Sequence, residues 1–137
     1  MWKYYALLSA VFAGLTAILA KMGLKGISGN LATAIRTVVI VFISWAIVLA
    51  AGQLKDVKSL TRNNLLFLIL SGIATGLSWI FYFKALETGP VSKVAPIDKL
   101  SVPIAIGLSV LLLKEQLDWK TVTGALLIVA GSIILIR

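Results

Sequence analysis

Five long apolar segments, separated by short polar connections, dominate the sequence. Residues 4–20 carry no charge, residues 31–54 carry one, and residues 65–83 again carry none. An α-helix rises about 1.5 Å per residue, so runs near 20 residues cross the hydrocarbon core of a bilayer. The pattern predicts five transmembrane helices over about residues 4–22, 31–53, 65–85, 94–113 and 119–136.

The connections between these segments carry turn and capping signals. Gly26 to Asn30 is a turn cluster that offers Asn30 as the N-cap of the second helix, and Gly89-Pro90 ends the third. Lys55 to Asn64 is the longest polar stretch, with Thr61 or Asn63 as the candidate cap of the third helix. These short connections leave no room for a soluble domain, so residues 1–137 are predicted to form a single transmembrane domain.

Composition supports an all-α integral membrane protein and narrows its chemistry. Apolar residues make up 60% of the chain and charged residues 13%, whereas about a quarter of a soluble domain is charged. Cys and His are absent, which removes the usual nucleophiles, metal ligands and redox groups. We therefore expect no enzyme, no metal and no cofactor. The net charge of +8 is scattered between apolar runs, so nucleic acid is not an expected partner.

The basic residues divide evenly between the two sides of the predicted membrane domain. Side A holds six, namely Lys3, Lys55, Lys58, Arg62, Lys114 and Lys120. Side B also holds six, namely Lys21, Lys25, Lys84, Lys93, Lys99 and Arg137, with Arg36 left inside the second helix. Because the Lys and Arg difference orients a membrane protein, this balance permits insertion in both directions and an antiparallel dimer. An even split also arises by chance.

One face of the third helix is polar. Ser71, Thr75, Ser78 and Tyr82 follow each other at spacings of 4, 3 and 4 residues, and Trp79 lies beside them. Such spacing places side chains on a common helical face. The stripe fits either helix packing through small hydroxyl residues or the wall of a ligand cavity.

The fourth helix combines prolines with a charged residue. Pro96 and Pro103 each remove a backbone donor, which predicts a kink and leaves the carbonyls of Ser92 and Lys99 without their normal helical partners. Asp98 and Ser101 share one face of this helix. An acid within the membrane is a candidate functional group, although a salt bridge to Lys99 or Arg36 would also explain Asp98.

Two further features remain open at this level. Arg36 lies near the start of the second helix, where it could reach the headgroups, pair with another residue or contact a ligand. The fifth helix is almost entirely aliphatic. Its small residues predict a helix contact, and they are the candidates for a dimer interface: Gly124, Gly131 and Ser132.

The C-terminal half resembles a known family. The stretch from Tyr82 to Pro103, YFKALETGPVSKVAPIDKLSVP, is followed by LLLKEQL at residues 111–117 and GALLIVAG at residues 124–131. This order of motifs resembles the EamA-like domain of the drug/metabolite transporter superfamily. The likeness is greatest to its single-domain members.

The resemblance implies a fold and a function. Larger members carry two such five-helix domains in inverted orientation, so this chain would form one half of a ten-helix inverted-repeat fold. An antiparallel homodimer would rebuild the whole. The implied activity is export or exchange of small metabolites by alternating access, in the inner membrane of a prokaryotic cell. The cavity positions that the resemblance carries over are Thr75, Ser78, Trp79, Tyr82, Asp98, Lys99 and Ser101, to which Arg36 is added from the sequence itself.

Two questions stay open in the sequence. The small multidrug-resistance branch has an acid in its first helix, which this chain lacks, so Asp98 is the evident candidate for any proton coupling. Arg36 and Lys99 would suit an anionic substrate, whereas Trp79 and Tyr82 would suit an apolar or cationic one. The alternative to a transporter is a non-transporting helical subunit or scaffold beside a larger membrane protein.

Overall fold

The computed structural model describes residues 1–136, which are almost entirely helical and contain no strand. Six α-helices and one 3-10 helix follow each other along the chain. They are α1 (Trp2–Gly23), α2 (Gly29–Ala50), the 3-10 helix (Gln53–Ser59), α3 (Arg62–Thr88), α4 (Val91–Asp98), α5 (Ser101–Leu113) and α6 (Trp119–Ile136). Arg137, which the charge tally assigns to side B, lies outside the described residues.

Five segments of these residues are long and apolar enough to cross a membrane, which confirms the predicted number of spans. They are α1, α2, α3, the continuous stretch Val91–Leu113 and α6. Helices α2 and α3 each begin two or three residues earlier than the sequence pattern suggests, because their capping residues lie further out. Very few residues of the five spans are buried within the single chain.

The helix starts depend on side-chain caps. The sequence assigns the N-cap of α2 to Asn30, and this prediction is wrong: Ser28 is the N-cap, and its hydroxyl accepts a bond of 3.3 Å from the Leu31 N–H. Thr61 caps α3, accepting a 3.2 Å bond from the Asn64 N–H. Asp118 caps α6 through the Thr121 N–H at 2.9 Å. Each cap satisfies a backbone donor that has no partner inside its helix.

The fourth span is divided between Asp98 and Ser101, where the prolines predict a kink. The Lys99 carbonyl lacks its normal helical partner, because Pro103 has no N–H, and it accepts a 3.0 Å bond from the Val102 N–H in a tighter turn instead. The Leu100 N–H bonds to the Ile97 carbonyl at 3.0 Å instead of reaching back four residues to Pro96. The Pro96 carbonyl accepts a 3.2 Å bond from the Lys99 N–H instead, so the kink replaces a four-residue bond with a three-residue one.

The chain divides into two compact units. The first comprises Met1–Ile18 and the residues from Thr88 onward, and in it α6 packs against both α4 and α5. Ser132 of α6 is 4% exposed and donates a 3.0 Å bond to the Pro96 carbonyl. At the start of α4, the Lys93 ammonium lies 3.4 Å from the carbonyl of Ile136, the last residue of α6. A cation is favoured at a helix C-terminus.

The second unit comprises Leu19–Glu87, and its buried residues lie toward one end of its helices. Phe83 and Leu86 of α3 are fully buried. The Lys21 ammonium donates a 2.5 Å bond to the Leu86 carbonyl, so α1 ends beside the end of α3. At the other end of α2, the 3-10 helix packs back against the α2 residues that precede it.

Candidate functional site

The guanidinium of Arg36 lies over two aromatic rings of α3. Its central carbon is 4.4 Å from the centre of the Trp79 ring and 5.3 Å from that of Phe83. Both distances fall within the range of cation–π attraction. Trp79 and Phe83 are four residues apart and therefore lie one above the other on the same face of α3. The structure thus brings Arg36 and Trp79, two of the predicted site residues, into contact.

Close approach of α2 and α3 positions this contact. A Cβ placed on Gly29 would lie 3.1 Å from the Phe83 carbonyl carbon and 3.2 Å from the Lys84 nitrogen. The Gly29 N–H donates a 3.1 Å bond to the Glu87 carboxylate, which supplies negative charge at the α2 N-terminus. From Gly29 to Arg36 is about two helical turns, and so is the step back from Glu87 to Trp79. The two helices are therefore antiparallel neighbours.

The polar stripe of α3 is only partly engaged within the chain. The Thr75 hydroxyl donates a 2.8 Å bond to the Ser71 carbonyl one turn earlier, and Ser71, Thr75 and Ser78 are all exposed. Tyr82 is half-buried, with its ring edge-on to Phe83 at 6.2 Å. The hydroxyls of Ser71, Thr75 and Ser78 thus lie on the surface of a membrane-spanning helix, where lipid offers them no hydrogen bonds.

The other predicted site residues lie at the kink between α4 and α5. The Lys99 ammonium is 3.3 Å from the Asp98 carboxylate, and the two side chains are 55% and 34% exposed. Ser101 begins α5 and is exposed. Asp98 is therefore paired with its neighbour in sequence.

Ser132 does not lie where a dimer contact requires it. Its side chain is buried inside the chain and donates to the Pro96 carbonyl at the kink of the fourth span, which also accepts a 3.2 Å bond from the Lys99 N–H. The prediction of Ser132 as a dimer contact is corrected accordingly. Gly124 and Gly131 differ, since a Cβ on either would meet no atom within 4 Å beyond the adjacent backbone of its own helix.

A cavity of about 310 Å³ lies elsewhere, between the end of α2 and the 3-10 helix. Its wall is largely apolar, with Trp45 on one side and Asp56 on the other. None of the predicted site residues lines it. Among residues 1–136, no cluster of acidic side chains has the arrangement of a metal site.

Sequence reasoning missed Phe83 and Glu87 as parts of this site. Phe83 follows Trp79 by four residues, a spacing that could have signalled a second ring beneath the Arg36 side chain. Glu87 carries no comparable signal, because its partner is the backbone of a residue 58 positions away. Only the packing of α3 on α2 reveals that bond.

Comparison with known proteins identifies the family to which the chain is similar. The model of the EamA-like transporter family matches residues 1–137. A Sinorhizobium protein described as an uncharacterized transporter in the cobO 3' region is 46% identical over 134 residues, covering 98% of this chain and 95% of the relative. An uncharacterized protein of Methanocaldococcus jannaschii is 30% identical over 81 residues, 59% of each chain.

No solved structure matches the chain. The family and the transporter-named relative point to transport rather than to enzymatic catalysis. Full-length coverage by the family model, together with five membrane-spanning segments, leads to one conclusion. The chain belongs to the EamA-like transporter family and is a multi-pass membrane transporter.

Proposed function

We propose that the protein exports or exchanges small metabolites across the inner membrane by alternating access, as an antiparallel homodimer whose copies insert in opposite directions. The observation that carries this proposal is the exposed polar face of α3. Ser71, Thr75 and Ser78 lie within a membrane span and are exposed in the single chain. Polar groups at membrane depth face protein or a water-filled cavity, so a second copy supplies what one chain lacks.

The residues proposed to bind substrate belong to two groups, one on the polar and aromatic face of α3 with Arg36, and one in the kinked fourth span. They are Thr75, Ser78, Trp79, Tyr82, Arg36, Asp98, Lys99 and Ser101. Broken helices line the substrate sites of many transporters because their irregular backbone needs a polar environment. Gly124 and Gly131 of α6 are proposed to contact the second copy, since each leaves open space beside its helix.

The charge distribution supports insertion in both directions. Six basic residues on each side leave no positive bias to select one orientation. An antiparallel two-fold dimer presents the same surface to both sides of the membrane. The direction of transport is therefore set by the gradients of the substrate and of any coupling ion.

Labelling of loops in intact cells tests the proposed topology. The chain has no native Cys, so Ser59→Cys on side A and Ile27→Cys on side B, made separately, each provide one reactive position. Both residues lie in exposed connections. With a membrane-impermeant maleimide we expect each variant to be labelled in about half of its molecules, because neither orientation is favoured.

Permeabilised cells provide the control, since both variants should then be labelled completely. Complete labelling of one variant and none of the other in intact cells would mean a single orientation. That result would contradict the antiparallel dimer and favour a parallel dimer or a subunit of a larger membrane complex.

A further inference from the structure

The aromatic face that could receive a cationic substrate is already occupied. Trp79 is the residue of α3 best suited to bind a cation through its ring, and Arg36 lies over that ring at 4.4 Å. Arg36 also covers Phe83 at 5.3 Å. A second cation at this position would meet the positive charge of the guanidinium. The pair of rings therefore acts as a support for Arg36.

The guanidinium of Arg36 forms no salt bridge within the part of the chain that the structure describes. Among residues 1–136 no carboxylate pairs with its guanidinium, and no hydrogen bond from it is found. Its own compact unit contains two acids, and both are placed elsewhere: Glu87 binds the Gly29 N–H, and Asp56 lies on the 3-10 helix beyond the far end of α2. Aromatic rings offset only part of the cost of a charge that is half-withdrawn from water.

The depth of Arg36 makes this missing charge significant. Arg36 follows the first residue of α2 by seven positions, about 10 Å along the helix. Its guanidinium lies against Trp79, nine residues before the end of α3, and so is not extended toward the headgroups. An ionised residue inside a membrane protein is usually paired, and an unpaired one marks a ligand pathway.

We propose that Arg36 is the anion subsite of the transport cavity, so that the transported class is a small metabolite bearing a carboxylate or a phosphate. This inference rests on the proposed function and narrows it to one class of substrate. A guanidinium offers five N–H donors in a fixed plane and binds either oxyanion through two parallel bonds. Trp79 and Phe83 position that plane, and they hold it without consuming its hydrogen-bond donors.

Ligand pairs with and without an oxyanion test the proposal on the purified protein. Succinate is compared with succinamide, a neutral compound of similar size, and glycerol 3-phosphate is compared with glycerol, which lacks the phosphoryl group. Binding stabilises the folded state by RT ln(1 + [L]/Kd), so a bound ligand raises the unfolding temperature. We expect at least one anion to raise it and its neutral partner to leave it unchanged. The two pairs distinguish a carboxylate from a phosphate.

Variants of Arg36 test whether the effect belongs to this residue. Arg36→Gln should weaken binding of the anion at least tenfold, whereas Arg36→Lys keeps the charge and should retain part of the affinity. Lys25→Gln is the matched control, because it removes one positive charge from an exposed loop. Folding of each variant is checked by size-exclusion chromatography and by its unfolding transition without ligand.

Three results would overturn the proposal. One is equal binding of anions and their neutral partners, or no binding of any anion. Another is an equal loss in Lys25→Gln, which would indicate non-specific attraction to a basic protein. The third is binding of tetraethylammonium that Trp79→Leu abolishes, which would make the aromatic face a cation site. All three leave the loop-labelling experiment unaffected, so failure of the anion site and failure of the antiparallel dimer are distinguishable.

Discussion

Gly29 shows at the scale of a single residue why α2 and α3 lie close enough for Arg36 to reach its rings. Its backbone lies against the backbone of Phe83 and Lys84, and its N–H is bonded to Glu87. A side chain at this position would have to push one helix away from the other. The Arg36 contact two turns further along depends on the same approach.

Gly29→Ala is therefore expected to destabilise the protein by about 1–3 kcal/mol, the usual effect of overpacking. The added methyl would lie 3.1 Å from a backbone carbon, and a helix backbone cannot move aside as a side chain can. Thermal unfolding in detergent measures the change. Gly14→Ala is the control, because no atom lies within 4 Å of its Cβ position. Equal unfolding temperatures for the two variants would contradict the close contact.

Asp118 shows at the scale of an element how a loop residue defines a helix. Its carboxylate accepts bonds from the N–H and the hydroxyl of Thr121, and it is fully exposed to water outside the spans. These bonds stabilise the ionised form and lower the pKa of Asp118 below its ordinary value of 3.8. Its contribution to stability is therefore present above that ordinary value and is lost as the pH falls through the lowered pKa.

Asp118 caps the start of α6, so we expect the unfolding temperature of the Asp118→Asn variant to depend less on acid pH than that of the parent chain. Asparagine still caps a helix but does not titrate, so its unfolding temperature should fall less as the pH is lowered to about 3. Thr121→Val removes one donor to the carboxylate, so the unfolding temperature of this variant should also fall less with acid than that of the parent chain. Identical pH profiles for Asp118→Asn and the parent would show that the cap does not contribute.

The fourth span shows what an element gains from a neighbour. Prolines disturb its helix, and Ser132 of α6 donates to the Pro96 carbonyl at the kink. The hydrogen bond is made inside the chain, so the kink is stabilised without a second copy. Because Asp98 and Lys99 lie at this kink, their position in the protein follows from the packing of α6 on α4.

The balance of basic charge is a property of the whole molecule, and shifting it should change assembly. Gln53→Lys with Gln116→Lys adds two charges to side A, and Asn30→Lys with Ser92→Lys adds two to side B; all four positions are exposed. Each double variant should insert in one orientation, with its enriched side in the cytoplasm. The measurement is the fraction of dimer after cross-linking in membranes.

An antiparallel dimer requires both orientations, so each double variant expressed alone should lose most of its cross-linked dimer. Co-expression of the two should restore it, since each then supplies the orientation that the other lacks. Full dimer formation by either variant alone would contradict the antiparallel arrangement. Loop labelling of the same variants shows whether the orientation has changed.

Sequence alone determined the number of spans, the approximate helix bounds and the even distribution of Lys and Arg. A bilayer requires each spanning segment to be long and apolar by itself, so these features can be predicted from the sequence without knowledge of how the helices pack. The residue types of the candidate site can be recognised in the sequence for a related reason. Arg36, Trp79 and Asp98 stand out because polar and charged groups are costly within a span.

Only the tertiary structure determined which of these residues contact each other. Periodicity assigns a residue to a helix face, but it does not say whether that face turns toward lipid, a neighbouring helix or a second copy. In the folded chain Arg36 contacts Trp79 and Phe83, which are more than 40 residues away in sequence, and Ser132 donates a hydrogen bond to the Pro96 carbonyl. The rotation and approach of neighbouring helices are set by small contacts such as that at Gly29, which only the folded chain contains.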